Sequence, residues 1–201
     1  MGKAYTEQEK EELKKKIQSV SLELFRKQGR KKVSIKDITV AAGISQGGFY
    51  SFYESKEDLM VQLFALRFEQ KAEYFIREIL PEWEGKSPEE VLFHVLYEGI
   101  LGLRENMAFN NAKSDSILFL RENEGKIETA CESSGRKLVN AVIVFFEKQG
   151  RKIQIDLRKG MNVWKAGLIL LADRELMGED FKEIMKELVK AGTRICFTQE
   201  Q

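Results

Sequence analysis

A chain of 201 residues with 33 Lys and Arg against 32 Asp and Glu carries a formal charge of +1. That length holds one large domain or two small ones around a sizeable core, and a near-neutral total does not by itself mark a nucleic-acid binder. Cys131 and Cys196, the two cysteines, form no close-spaced pair, which argues against a disulfide framework or a zinc site and suits a reducing cytoplasm.

The charge is unevenly spread. The first 60 residues hold 12 Lys and Arg against 9 Asp and Glu, and the rest hold 21 against 23. Arg26, Lys27, Arg30, Lys31, Lys32 and Lys36 crowd one stretch without an acid among them. Such a run is a solvated surface in most proteins, but beside a DNA-binding element it supplies the salt-dependent phosphate attraction. The opening segment MGKAYTEQEKEELKKK lacks the apolar core of a signal peptide. No apolar run approaches the roughly 20 residues of a membrane span. With Pro81 and Pro88 the only prolines, the composition favours helices throughout.

Thr6 and Glu9 make a capping box that opens a first helix, with Leu13, Ile17, Val20, Leu24 and Phe25 on its apolar face. Gly29 is placed to end it in the αL conformation. Ser34 caps a second helix with Asp37 as box partner, and Ile35, Ile38, Ala41 and Ala42 follow at helical spacing. Gly43 sits at a sharp turn, and Ile44 can plug the angle beyond it. Ser45 caps a third helix carrying Gln46, Gly47, Gly48, Phe49, Tyr50, Ser51 and Phe52. Two short helices around a glycine turn have the layout of a helix-turn-helix, whose second helix enters the DNA major groove. The alternative is an ordinary corner between packed helices with Phe49, Tyr50 and Phe52 as core.

The glycine pair favours DNA. Each glycine costs a helix about 1 kcal/mol against alanine, whereas a bare helix N-terminus can approach a phosphate closely. Tyr50 and Lys56 are expected on phosphates, and Tyr53 adds a further hydroxyl. Gln46 is the side chain best placed to read a base edge, with adenine its geometric match. Ser55 caps the next helix with Asp58 as partner. That helix runs from about Lys56 to Leu80, is stopped by Pro81, and connects the basic N-terminal unit to everything later.

Leu24-Phe25, Gly29, Ser34, Asp37-Ile38, Ala42-Gly43-Ile44-Ser45, Gly47, Phe49-Tyr50, Tyr53 and Ser55-Lys56 together resemble the N-terminal signature of the TetR-type transcriptional regulators. The likeness runs from about residue 11 to residue 64. Gly48 stands where that family usually has threonine or another small side chain, and Phe52-Tyr53 replaces a His/Tyr-Phe pair. The resemblance implies a homodimer, an all-helical ligand-binding C-terminal domain, and repression relieved by a small molecule.

Ser87-Pro88-Glu89-Glu90 is a clear helix start, leading into Val91, Leu92, Val95, Leu96, Gly99, Ile100 and Leu103. Asn106 to Ser116 is polar and is expected to be a loop, followed by a short helix ending near Glu122. A long helix is predicted from Gly125 to Gly150. Lys152 to Ile155 alternates in polarity, but four residues without a partner strand predict a loop. Asp156 can cap a helix to about Met177, and Asp180 with Glu183 a last one to about Thr198. Gly160, Ala166, Gly167, Ala172, Ala191 and Gly192 let these last helices approach closely, either inside one protomer or across a two-fold axis. The resemblance implies the axis.

No catalytic constellation is present. His94 is the sole histidine, which excludes a multi-histidine metal site, and no phosphate-binding or dinucleotide glycine motif occurs. No enzyme activity, metal or cofactor is expected. Large side chains dominate residues 64–119, and Phe68, Phe93, His94, Tyr97 and Phe109, with Trp164 from a later helix, are the candidate ligand contacts; the alternative is that they fill a core.

The sequence therefore predicts an all-α protein, with a three-helix DNA-binding unit over residues 1–55 and a helical ligand-binding and dimerisation unit over 56–201. Its DNA contacts are expected from Ser34, Ser45, Gln46, Gly47, Gly48, Tyr50, Tyr53 and Lys56. Its expected partners are a palindromic double-stranded operator, a second copy of itself and a small mostly apolar or aromatic effector, in the cytoplasm and away from membranes. The same fold could serve an activator or a ligand-insensitive regulator. A helical adaptor or small-molecule carrier that never touches DNA is the rival of another class.

Overall fold

The protein is described here from a computed structural model, over residues 6–105, 119–172 and 174–197. Among these residues the regular elements are helical, apart from one isolated antiparallel bridge between Ile155 and Phe197.

Helix α1, Glu7–Gln28, starts on the reciprocal box of Thr6 and Glu9. It ends at Gly29, whose φ of 79° is left-handed but whose ψ of 154° is extended, so the stop is not the αL cap the sequence suggested. Helix α2, Ile35–Ala42, is boxed by Ser34 and Asp37 and closed by Gly43 in the αL conformation. Helix α3, Gln46–Tyr50, is one turn and a half, capped by Ser45. Ile17, Phe25, Val33, Ile38, Phe49 and Tyr53 from this unit pack with Leu59 to Phe64 of the next helix and with Phe119, Ile127 and Cys131 from far along the chain. The N-terminal helices thus bury their apolar faces against a core that runs past residue 55.

Helix α4, Lys56–Tyr74, is shorter than its pattern suggests. Ser55 caps it by accepting from Asp58 N–H, but Asp58 returns its carboxylate to the N–H of Glu54 instead. After Tyr74 the chain widens into one π-helical turn, Phe75–Ile79, and then tightens into a 3-10 turn, Leu80–Trp83, around Pro81. Proline clashes with the carbonyl four residues back and has no N–H to give. The ladder is redrawn before it.

Helix α5, Pro88–Glu105, starts on the Ser87–Glu90 box. Residues 119–122 are helical and lead through Asn123 into α6, Glu124–Glu147. The expected loop over 106–116 lies outside the described residues, as does Phe109. Helix α7, Leu157–Ala172, is capped by Asp156, which accepts from Lys159 N–H. The short α8, Arg174–Met177, precedes α9, Phe181–Arg194. Asp180 makes no side-chain cap to α9, contrary to the box read at Asp180 and Glu183. The loop before α7 finds a partner: Asp156 N–H donates to the Cys196 carbonyl at 2.8 Å. The apparent strand is a single bridge to the chain's last described turn.

Helices α4 and α6 pack along their lengths, and α5, α7 and α9 form a second layer. The small residues of the last helices serve this layer. A Cβ on Gly167 would fall 2.2 Å from Ile100 Cδ1, and one on Gly192 would fall 2.8 Å from Val163. A Cβ on Gly160 would meet nothing within 4 Å. Gly167→Ala is therefore expected to cost about 1–3 kcal/mol through overpacking. Gly160→Ala is expected to be neutral or to stabilise by up to about 1 kcal/mol. Urea unfolding of the two variants checks the contrast.

Candidate nucleic-acid interface and ligand cavity

The N-terminal helices divide their side chains cleanly between core and solvent. Phe49 is fully buried, while Tyr50 on the same short helix is 55% exposed. Ser34, Ser45, Gln46 and Gly47 are exposed, and Gly48 is half-buried. The Ser34 hydroxyl donates to Asp37 at 2.6 Å, and Ser45 Oγ accepts from Gly48 N–H at 3.0 Å. These hydroxyls shape the helix starts while remaining at the surface.

Gly47 and Gly48 are not required by the fold. Both have helical backbone, since neither is among the positive-φ glycines. A Cβ at Gly47 would have its nearest neighbour, Ser45 Oγ, at 3.8 Å, and one at Gly48 would sit 3.4 Å from the same atom. Alanine fits at both. Gly43, with φ +70°, is a different case: it makes the turn between α2 and α3.

Two of the expected DNA contacts turn inward in the structure. Tyr53 lies in the core at 1% exposure, with ring centroids 5.5 Å from Phe49 and 6.5 Å from Phe52. Burial pushes its phenol up to about 12, against a weaker opposing pull from Gln18. Lys56 turns inward. Its ammonium donates to the Val33 carbonyl at 2.9 Å and to the Arg30 carbonyl at 3.2 Å, two acceptors that no helix satisfies. Sequence reasoning missed this because a lysine in a first helical turn reads as surface, and its acceptors lie more than twenty residues earlier. The basic run is also divided. Lys27 pairs with Glu23 at 2.5 Å, and the Arg30 guanidinium lies 5.3 Å from the centre of the Phe119 ring, while Lys31, Lys32 and Lys36 are exposed.

Behind this unit is a cavity of about 960 Å³ between α4, α5, α6 and α7. Phe64, Phe68, Phe75, Leu92, Trp164 and Leu168 are among its apolar walls. Phe64 and Trp164 meet edge to face at 6.0 Å. His94 also lines it, with its ring 4.4 Å from Trp83 and 6.1 Å from Phe75. Burial holds the His94 imidazole below its usual range, with Glu98 opposing, so at neutral pH the ring carries one donor and one acceptor. Of the candidate contacts, the cavity gathers Phe68, His94 and Trp164. Phe93 and Tyr97 stack on each other at 5.2 Å and pack into the layer of α5, α7 and α9 instead. They sit on a different face of α5 from His94, which a list of large side chains does not reveal. The cavity also presents charges absent from the sequence-based list: Arg67, Lys71 and Arg121.

The fold and both sites now stand beside known proteins. The family model described as bacterial regulatory proteins, tetR family, matches residues 17–63. The HTH-type transcriptional regulator AcrR of Shigella flexneri is 34% identical over 98 residues, which are 45% of this chain and 43% of that protein. HTH-type transcriptional regulator YuxN of Bacillus subtilis is 25% identical over 149 residues, 73% of this chain and 50% of the relative. The chain thus spans half or less of the curated relatives it matches. Among solved structures, a TetR transcriptional regulator from Rhodococcus sp. RHA1 superposes with a TM-score of 0.65 at 14% identity, covering 94% of this chain and 96% of its own.

Gly47→Ala is expected to stabilise the fold by about 0.5–1 kcal/mol and to weaken DNA binding, because the methyl group stands where a phosphate would approach. Lys56→Ala is expected to cost about 1–3 kcal/mol of stability and to leave the salt dependence of DNA binding unchanged. Urea unfolding and titration of DNA across a salt series check both. The helix-turn-helix segment, residues 17–63, thus matches the tetR family of bacterial regulatory proteins, and the all-helical fold is shared with a solved TetR transcriptional regulator.

Proposed function

We propose that this regulator binds a two-fold DNA operator as a homodimer, represses by occupying it, and releases it when a mostly apolar molecule fills the cavity. One observation carries the reading: helix α4 is common to both sites. Its first turn is fixed to the DNA-binding unit by Lys56, and its middle, through Phe64, Phe68 and Lys71, forms a cavity wall. A ligand that favours another tilt of α4 moves one recognition helix relative to its mate. Half-site spacing is set by the duplex, so a preference of about 1–3 kcal/mol for the non-binding arrangement registers as induction. The π-helical turn at Phe75–Ile79 lies at the far end of the same wall, and such turns are frequent at functional sites.

The volume and lining suit an effector of the size that small-molecule sites take. The transcriptional regulator FadR from Bacillus subtilis, solved in complex with stearoyl-CoA, has the same fold at a TM-score of 0.57 and 17% identity, covering 89% of this chain and 97% of its own. In this chain the apolar walls and the few polar groups, His94 among them, support a ligand of apolar or aromatic body.

The dimer reading rests on an outward stripe. Ile184, Leu188, Ala191 and Ile195 are exposed at helical spacing along and just beyond α9, and Ala166 and Ile169 are exposed on α7. Gly167 and Gly192 face inward, so the interface is built from these larger side chains and not from the small ones. A patch of this kind on the last helices fits a second copy of itself around a two-fold axis. The units 1–55 and 56–201 then divide the labour between DNA and the paired ligand-binding bodies. An adaptor or carrier without DNA binding would leave the exposed Gln46, Gly47 and Tyr50 without a role.

Selection of bound DNA from a random pool, with and without apolar ligands, tests the reading; failure to enrich any two-fold sequence overturns it. In the enriched site, Gln46→Ala is expected to relax preference at one position per half-site, by roughly 1–3 kcal/mol for a bidentate contact. Leu188→Glu is expected to convert the dimer to monomer at micromolar concentration in light scattering and to abolish tight operator binding.

A further inference from the structure

The cavity's walls are apolar, but its charges are not balanced. Four cations, Arg67, Lys71, Arg121 and Lys165, and three carboxylates, Glu98, Glu124 and Glu128, face it. Lys165 takes two of the acids: it bonds Glu124 at 2.6 Å and also bonds Glu128. Glu98 is exposed and within ion-pair distance of no cation among the described residues. Arg67, Lys71 and Arg121 likewise have no ion pair there, and Arg67 has only the neutral Gln70 amide oxygen at 3.1 Å.

Their placement is specific. Arg67 and Lys71 are one turn apart on α4, so they share a face, where like charges repel unless an anion lies between them. Lys71 reaches across to α5 at Gly102, where a Cβ would fall 2.0 Å from its Nζ. The bare glycine lets the ammonium lie against the α5 backbone. Arg121 enters from the turn before α6. Lys71 and Arg121 are exposed and Arg67 is half-buried, so the three stand where the apolar cavity opens to water.

We propose that Arg67, Lys71 and Arg121 form the head-group subsite of the cavity, and that the effector is a single-chain amphiphile whose apolar chain lies along Phe64, Phe68 and Trp164 and whose carboxylate or phosphate sits among the three cations. This rests on the reading of the cavity as the effector site and adds the chemical class. Guanidinium groups take carboxylate or phosphate in bidentate fashion, and lysine adds a point charge. Chain burial supplies affinity; the cations supply orientation and discrimination.

The test compares four probes by calorimetry on the full chain: decanoate, decyl phosphate, 1-decanol and inorganic phosphate. Both anionic amphiphiles are expected to bind at least about tenfold more tightly than 1-decanol, the ratio for one charge-assisted contact, and inorganic phosphate not measurably. In a Lys71→Gln, Arg121→Gln double variant, both solvent-facing changes, that preference is expected to vanish while 1-decanol binds as before. Equal affinity for the alcohol and the anions overturns the subsite, as does a preference that survives in the variant. Tight binding of inorganic phosphate alone overturns the amphiphile class, and binding of none of the four overturns the whole proposal. Release of selected DNA separates the two readings. If 1-decanol releases it as well as decanoate does, ligand control stands and the head-group subsite falls; if bound amphiphiles leave DNA affinity unchanged, ligand control itself falls.

Discussion

The structure depends on how the first turn of α4 is fastened. Lys56 donates to the carbonyls of Arg30 and Val33, in the segment between α1 and α2. Such carbonyls lie outside any helical ladder and need a partner when partly buried. The ammonium supplies it and binds the long helix to the helix-turn-helix at the same time. Leu59, Met60, Leu63 and Phe64 complete the attachment by entering the N-terminal core. Half of α4 packs with the helix-turn-helix by its contacts, and the other half is a wall of the cavity.

A second tie runs parallel to it. Phe119 is fully buried among the same N-terminal side chains and carries the Arg30 guanidinium over its ring. Leu120 and Arg121, the next two residues, line the cavity. Arg30 thus touches both fastenings, offering its carbonyl to Lys56 and its guanidinium to Phe119. Cation–π contacts strengthen as they lose water, and this one sits at the edge of a closed core. The two sites are joined through packed side chains and hydrogen bonds as well as through the continuous chain.

The polar chemistry of the cavity is sparse and differentiated. His94 is held neutral between aromatic rings, and the Cys131 thiol, pushed up to about 12 by burial, is an inert part of the wall. Lys165 is consumed by its two carboxylates. What remains among the described residues is a broad apolar surface, the unpaired Glu98 and the three cations Arg67, Lys71 and Arg121. Gly102 and Gly160 enlarge the space in different ways, one giving room to Lys71 and the other leaving the α7 wall open.

Most helix starts were legible in the residues themselves, because capping is a local interaction, whereas the Asp180 cap, the αL stop at Gly29 and the end of α4 were not. Thr6 with Glu9, Ser34 with Asp37, Ser45, Ser87 with Glu90, and Asp156 all act within four residues of their own position. The same locality made the helix-turn-helix readable from Ser34 to Ser55, down to the glycine pair that alanine could replace. Side-chain direction was not readable, because it depends on neighbours distant in sequence. Tyr53 and Lys56 read as surface groups, yet one is taken by Phe49 and the N-terminal core and the other by carbonyls more than twenty residues away. Phe93 and Tyr97 differ from His94 only in which face of α5 they occupy, one turned to α7 and α9 and the other to Phe75 and Trp83. Gly167 and Gly192 suited either a protomer core or a two-fold interface by their size, and Ile100 and Val163 fill the space beside them within the protomer. Periodicity and local caps place most of the helices; the packing angle between helices decides which residues meet, and it brought Arg67, Lys71 and Arg121 to one cavity from two separate parts of the chain.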